Sequence, residues 1–280
     1  MENTFLKITS KNNNLVKRFR SLKNGSSRKD IDFFCIEGTH LLEELLKSRN
    51  APSKILVTEK WLRKNENLGE QLDQSLITLV SEEVLASAIT TINPDGVAAL
   101  VEISSIPNYQ FNIKDDFVLV LDRIQDPGNM GNLFRTALAA GVDAIFLAGG
   151  AHPLSQKVLR ASSGAVFHLP FQRFEGTEEE IINSLLKSLT ELSNEGFKVF
   201  STSSNKNLKK SSKPYWEIDW TKSTVLILGN EGQGIHKEIQ EAFDETITIP
   251  HSEIVESLNV ACVAVPLLLE RKRVAYTSNT

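Results

Sequence analysis

Apolar residues in the first hundred positions come in short runs separated by polar segments with helical spacing. Phe33-Phe34-Cys35-Ile36 reads as a buried strand, after which Leu41, Leu42, Leu45 and Leu46 recur at the interval of one helix face. Further strands are predicted at Lys54 to Thr58, around Ile77 to Val80 and from Gly96 to Ile103. A helix is expected near Trp61 and another opening at Ser81, with Glu82 and Glu83 in its first turn. This alternation predicts a small α/β unit over residues 1–105. The stretch from Ser104 to Asp116 is polar, proline-punctuated and without period, which puts a linker at 106–116.

The second half, 117–276, begins with the continuous aliphatic run Phe117 to Leu121, the pattern of a strand buried on both faces of a parallel sheet. A helix follows from about Asn129 to Ala140, then a strand at Ala144 to Leu147, a helix over Ser155 to Ser162 and a strand near Val166 to Leu169. Next come a helix from Glu178 to Asn194 and strands at Lys198 to Ser201, Thr224 to Leu228 and Thr246 to Ile249. A C-terminal helix begins near Ser257, with that serine as its N-cap. The pattern is that of a parallel α/β domain of about six strands.

Composition narrows the class. With 280 residues, 41% hydrophobic and 24% charged, the chain has globular proportions and room for two modest cores, which excludes disordered and collagen-like classes. Cys35 and Cys262 form neither a disulfide framework nor a CxxC pair, so a reducing, cytoplasmic location is expected. The N-terminus lacks an apolar export segment, and the apolar run Val260 to Leu269 falls short of the roughly 18 residues of a membrane span, so no membrane role is expected. His40, His152, His168, His236 and His251 lack metal-ligand spacing, and no metal is expected.

A formal net charge of −4 argues against a uniformly basic binder. The average conceals one stretch in which Lys7, Lys11, Lys17, Arg18, Arg20, Lys23, Arg28 and Lys29 occur without an acidic residue. This is either a solvated helix face or a polyanion contact.

Three segments after predicted strands could carry chemistry. In Leu121-Asp122-Arg123-Ile124-Gln125-Asp126-Pro127-Gly128-Asn129 a strand ends in a turn and a helix opens, with Arg135 within two turns of its start; α/β folds place ligands at such points. In Leu228-Gly229-Asn230-Glu231-Gly232-Gln233-Gly234 the glycines would let backbone amides approach a ligand, although the order matches neither the dinucleotide nor the Walker fingerprint. In Ile249-Pro250-His251-Ser252-Glu253-Ile254-Val255-Glu256-Ser257-Leu258-Asn259 a strand leads through a loop to a helix. Taken singly, each segment also reads as a turn or a cap.

In this order the segments resemble the three motifs of the SpoU (TrmH) branch of the SPOUT methyltransferases, through QDPGNMGNLFRTALAAGVDAIFL, SQKVLRASSGAVFHLP, LILGNEGQGI and IPHSEIVESLNVA. ITSKNNNLVKRFRSLKN with FCIEGTHLLEELL resembles the L30e-like substrate-binding domain that precedes the catalytic domain in ribosomal-RNA members. The resemblance implies an α/β fold of that front domain plus a SPOUT domain with a deep trefoil knot. It also implies an S-adenosylmethionine-dependent RNA ribose 2′-O-methyltransferase acting as a homodimer, with ribosomal RNA ahead of transfer RNA as substrate.

By position, the resemblance assigns catalysis to Asn129, Arg135, Glu231, Ser257 and Asn259, and cofactor binding to Leu228, Gly229, Gly234, Ile249, Pro250, Leu258 and Asn259. RNA contact is expected at Lys17, Arg18, Arg20, Arg28 and Arg160. Two departures stand out. His251 and Glu253 replace the usual Met and Gly of the third motif, and Pro266 falls within the last helix, which it should kink or interrupt. Competing readings are a transfer-RNA enzyme, a non-catalytic RNA-binding or ribosome-assembly homologue, and an unrelated α/β nucleotide enzyme.

Overall fold

The structure is a computed structural model that describes residues 5–22, 32–110, 112, 116–203, 212–252 and 254–278. Its chain divides into two units, Met1–Pro107 with Leu154–Phe167, and Asn108–Pro153 with His168–Thr280.

The first unit runs β1 (Leu6–Ile8), α1 (Asn14–Ser21), β2 (Phe33–Glu37), α2 (Thr39–Lys47), β3 (Lys54–Val57), α3 (Glu59–Lys64), α4 (Glu66–Gln71), β4 (Ile77–Val80), α5 (Glu82–Ala88) and β5 (Val97–Glu102). Its strands form one sheet in the order β1-β4-β3-β5-β2, with β5 antiparallel to both neighbours. The stretch read only for its charge contains β1 and α1. Asn13 caps α1 by accepting from the Leu15 N–H, and the helix buries Val16 and Phe19 completely against Leu56, Val80, Val84 and Leu100. Full burial of such a side chain is worth about 1.5–3 kcal/mol, so α1 is held by its apolar face while Lys17 and Arg18 stay exposed.

The second unit contains β6 (Phe117–Asp122), α6 (Pro127–Ala140), β7 (Ala144–Ala148), β8 (Phe171–Phe174), α8 (Glu178–Asn194), β9 (Lys198–Ser203), β10 (Lys213–Pro214), β11 (Thr224–Leu228), α9 (Lys237–Ala242), β12 (Thr246–Thr248) and α10 (Val260–Ser278). The seven strands are all parallel, in the order β10-β12-β9-β11-β6-β7-β8. Every residue of β6 is buried, as its aliphatic run predicts. On one face, Ile182, Leu185 and Leu189 of α8 pack over Val118, Val120, Phe146 and Val225. Among the described residues no helix is long and apolar enough to cross a membrane.

Three expectations are corrected. The strand near Val166 to Leu169 does not form: Ala165–Phe167 is a turn of 3-10 helix, and the strand begins at Phe171, after Pro170. Ser163 and Gly164 take positive φ just before it, which breaks the extended path, and a buried turn carries the same apolar signature as a buried strand. The last helix starts at Val260 rather than near Ser257, and Asn259 caps it by accepting from the N–H groups of Ala261 and Cys262. Pro266 lies inside that helix, which continues through it, so of the two expected effects interruption does not occur.

The segment Leu154–Phe167, which carries α7 (Gln156–Ala161), is grouped with the first unit although it lies between elements of the second. There Gln156 donates to the Cys35 carbonyl, and the Phe34 and Phe167 rings lie 6.2 Å apart.

Candidate active site

Strands β12, β9 and β11 are adjacent and parallel, so their carboxyl ends share one edge of the second unit, where open parallel sheets place ligands. The segments leaving those ends line a cavity of about 570 Å³. Thr202 and Ser203 come from β9, Leu228 to Ile235 from the glycine-rich turn, and Ile249, His251 and Glu256 to Leu258 from the segment after β12; Val263 and Leu267 of α10 complete it. Thr202 and Ser203 went unrecognised from sequence; their only signal is polar chemistry at the carboxyl end of a strand.

The glycine-rich turn is closed by reciprocal backbone hydrogen bonds between Asn230 and Gly234, 3.1 and 3.0 Å. Gly229 is required by close approach, since a Cβ there would run into the backbone of Gly234 and Ile235, and Gly234 sits at φ +70°. The amides of Gly232 and Gln233 point inward to the Asn230 Oδ1, 2.9 Å each. These two amides are engaged within the turn itself.

Asn129, Glu231 and Asn259, far apart in sequence, meet beside the cavity. The Asn259 Nδ2 donates to the Asn129 Oδ1 and the Asn129 Nδ2 donates to the Glu231 Oε1, each at 3.0 Å. Glu231 also accepts from the Gln125 and Asp126 N–H groups, both at 3.4 Å, while Asp126 caps α6 through the Asn129 N–H. Partial burial alone would push the Glu231 carboxyl up, but the Asn129 amide and these backbone donors outweigh it and hold the group below the usual carboxylate range. Glu231 is thus an ionised anchor that orients Asn129, and its bonds fix the entry of α6.

Gly229, Gly234, Leu228, Ile249, Ser257 and Leu258 all line the cavity, and Pro250 falls between the lining residues Ile249 and His251. The His251 Nδ1 lies 2.9 Å from the Ile249 carbonyl oxygen; Glu253 is outside the described residues. Arg135 is exposed on α6, six residues past Asn129 and so about 120° around the helix from it, and no hydrogen bond or ion pair joins it to the Asn129 cluster among the described residues.

The expected RNA contacts divide in the same way. Lys17 is exposed; Arg18 stacks 4.1 Å over the Phe33 ring; Arg20 donates to the Ser87 carbonyl and hydroxyl and to the Lys11 carbonyl. Lys7 and Lys11 pair with Glu59 and Glu83. Arg28 is outside the described residues, and Arg160 lies 3.6 Å from Glu37.

Sequence reasoning also passed over Asp122 and Arg123 at the end of β6. Asp122 is fully buried, bound by both the Arg123 guanidinium and the His236 N–H. A carboxylate closing an aliphatic strand was its signal.

Comparison with known proteins adds to this geometry. Residues 116–269 match the model of the SpoU rRNA Methylase family, and residues 13–99 match an MRM3-like substrate binding domain. A 23S rRNA (guanosine(2553)-2'-O)-methyltransferase of Bacillus subtilis is 34% identical over 93% of this chain and 97% of its own. An uncharacterized tRNA/rRNA methyltransferase of Synechocystis is 36% identical over 98% and 96%. The structure of an AdoMet-bound rRNA methyltransferase from Sinorhizobium meliloti aligns with a TM-score of 0.78 at 28% identity, covering 95% of this chain and 97% of that one.

Proposed function

The chain belongs to the SpoU rRNA methylase family, and on that premise we propose that it uses S-adenosylmethionine to methylate a ribose 2′-hydroxyl of ribosomal RNA. The observation that carries this reading is the Asn129–Glu231–Asn259 cluster beside a cavity of about 570 Å³ at the strand ends. That volume suits a nucleoside-sized ligand. Apolar Leu228, Ile249 and Leu258 offer a surface for a purine, and the carboxylates of Glu231 and Glu256 favour a cation. When bound, the cofactor supplies a methyl group on a sulfonium, whose sulfur keeps the electron pair as the ribose oxygen bonds to the methyl carbon.

In this reading Ser257 and the Asn129–Asn259 pair align the ribose. Arg135 holds the adjacent phosphate with its cationic guanidinium and stabilises the alkoxide as the proton leaves to solvent. Its exposure and lack of a partner among the described residues suit that task. The substrate-binding domain matched at 13–99 and the ribosomal-RNA relative support ribosomal over transfer RNA, and hence a cytoplasmic place of action.

A homodimer is part of the same reading. Val265, Leu269 and Tyr276 are 41%, 44% and 73% exposed on α10, and α6, which packs against α10, exposes Leu138 at 38%; these are apolar side chains that a second copy would cover. The strand order, in which β9 lies between β11 and β12, is compatible with a chain threaded as the family's trefoil knot.

The test is transfer of labelled methyl from S-adenosylmethionine to ribosomal and transfer RNA fractions, followed by alkaline hydrolysis. Label is expected in ribosomal RNA, in an alkali-resistant dinucleotide, because a methylated 2′ oxygen cannot attack its phosphate. Label on a base, or in transfer RNA alone, would overturn the assignment.

A further inference from the structure

Among the described residues Arg123 is one of three non-glycine residues with positive φ, at 55°, a conformation that glycine adopts freely and arginine does not. It directly follows β6, and its backbone is held on both sides: its N–H donates to the Ala148 carbonyl and its carbonyl accepts from the Asn230 Nδ2 at 2.8 Å. The guanidinium grips buried Asp122 through Nε and Nη2, at 2.9 and 3.1 Å. Its Nη1 donates to the Gln233 Oε1 at 3.0 Å and to Glu178 at 3.3 Å, and its Nη2 reaches the Gly234 carbonyl at 3.5 Å. The second oxygen of Asp122 also accepts from the His236 N–H at 2.7 Å. Donating to the Asp122 carboxylate lifts the Arg123 guanidinium above its ordinary value, so the clamp stays charged.

These bonds fasten the glycine-rich turn at Asn230, Gln233, Gly234 and His236, and Gln233 and Gly234 line the cavity. We propose that Arg123, braced by Asp122, is a positioning residue that holds this turn in the shape that accepts S-adenosylmethionine. The strained backbone at Arg123 is kept because it directs the guanidinium onto the turn. The inference rests on reading the cavity as the cofactor site.

Arg123→Gly removes the clamp and relieves the backbone, but it leaves the buried Asp122 carboxylate with the His236 N–H alone, so its Tm should fall. Measured on the folded protein well below that Tm, its Kd for S-adenosylmethionine by calorimetry should rise about tenfold, and amide exchange over 229–236 should quicken relative to the rest of the second unit. Arg123→Ala should lose the same affinity and lower Tm further, because it keeps the backbone strain, while Arg123→Lys, which reaches one acceptor at a time, should fall between. In turnover, KM for the cofactor should rise more than kcat falls. Parent-like Kd and parent-like exchange in Arg123→Gly would overturn the proposal. If the parent protein itself binds no S-adenosylmethionine, the cofactor reading fails instead, and exchange over 229–236 still decides the clamp, faster exchange supporting it and unchanged exchange overturning it.

Discussion

Glu37, at the end of β2, accepts from the N–H and hydroxyl groups of both Thr90 and Thr91, whereas Glu231 accepts from the Gln125 and Asp126 N–H groups and the Asn129 amide. Both carboxylates hold a loop by accepting from its backbone and side-chain donors. They differ in what lies beside them. The Glu37 side chain is 2% accessible, and Arg160 at 3.6 Å closes its remaining side. Glu231 borders the cavity, and the Asn129 it orients passes a further hydrogen bond to Asn259. A carboxylate that gathers loop donors is therefore enclosed architecture in one unit and the rim of an open cavity in the other. The cations follow suit: Arg160 sits against a buried acid, while Arg135 stands exposed without a partner among the described residues.

The largest effects should fall on the second cluster. Asn129→Ala is expected to slow methyl transfer by about 10²–10³-fold, the usual loss for one polar group aimed at a reacting centre. Arg135→Ala should slow it as severely with cofactor affinity intact, and Arg135→Lys should not restore it. Single-turnover rates at saturating cofactor measure both, and a near-parent rate in either would erase the contrast with Thr90→Ala, for which turnover per folded molecule should stay within about twofold.

Next in size is the first cluster. Glu37→Ala should cost about 1–3 kcal/mol of stability, because it strands the half-buried Thr90 and Thr91 donors. Urea unfolding checks this, and a loss below about 0.5 kcal/mol would place Glu37 among ordinary surface acids.

The smallest effect separates two neighbours on α1. Lys17→Glu should flatten the salt dependence of RNA binding by about one charge. Arg20→Ala should leave that slope unchanged and lower Tm instead, because its guanidinium is already bonded to Ser87 and Lys11. Equal slopes for both variants would remove α1 from the RNA footprint.

Legibility in the sequence followed the range of the interaction. The helix Glu178–Asn194 was readable end to end, because the Thr177–Glu180 capping box and its apolar spacing are local. So was β6, whose aliphatic run reports burial on both faces. The 3-10 turn at Ala165–Phe167 was not, since hydrophobicity reports burial rather than extension. The site residues were legible only as three ordered motifs. Nothing in the spacing of Asn129, Glu231 and Asn259 shows that their amides and carboxylate form one hydrogen-bonded chain.

The sequence by itself determined the alternation of strands and helices, most of their boundaries, and the motif order that marks the family. Only the tertiary structure decided which charges are spent and which are available. The cationic stretch without an acid in sequence acquires Glu59 and Glu83 as partners for Lys7 and Lys11 once α3 and α5 fold against it. Asn129 likewise meets Glu231 and Asn259 because β11 lies beside β6 and the chain returns through β12 into α10. Periodicity and capping arise within a few residues of the chain, whereas charge pairing and site assembly depend on strand order, which brings together groups more than a hundred residues apart.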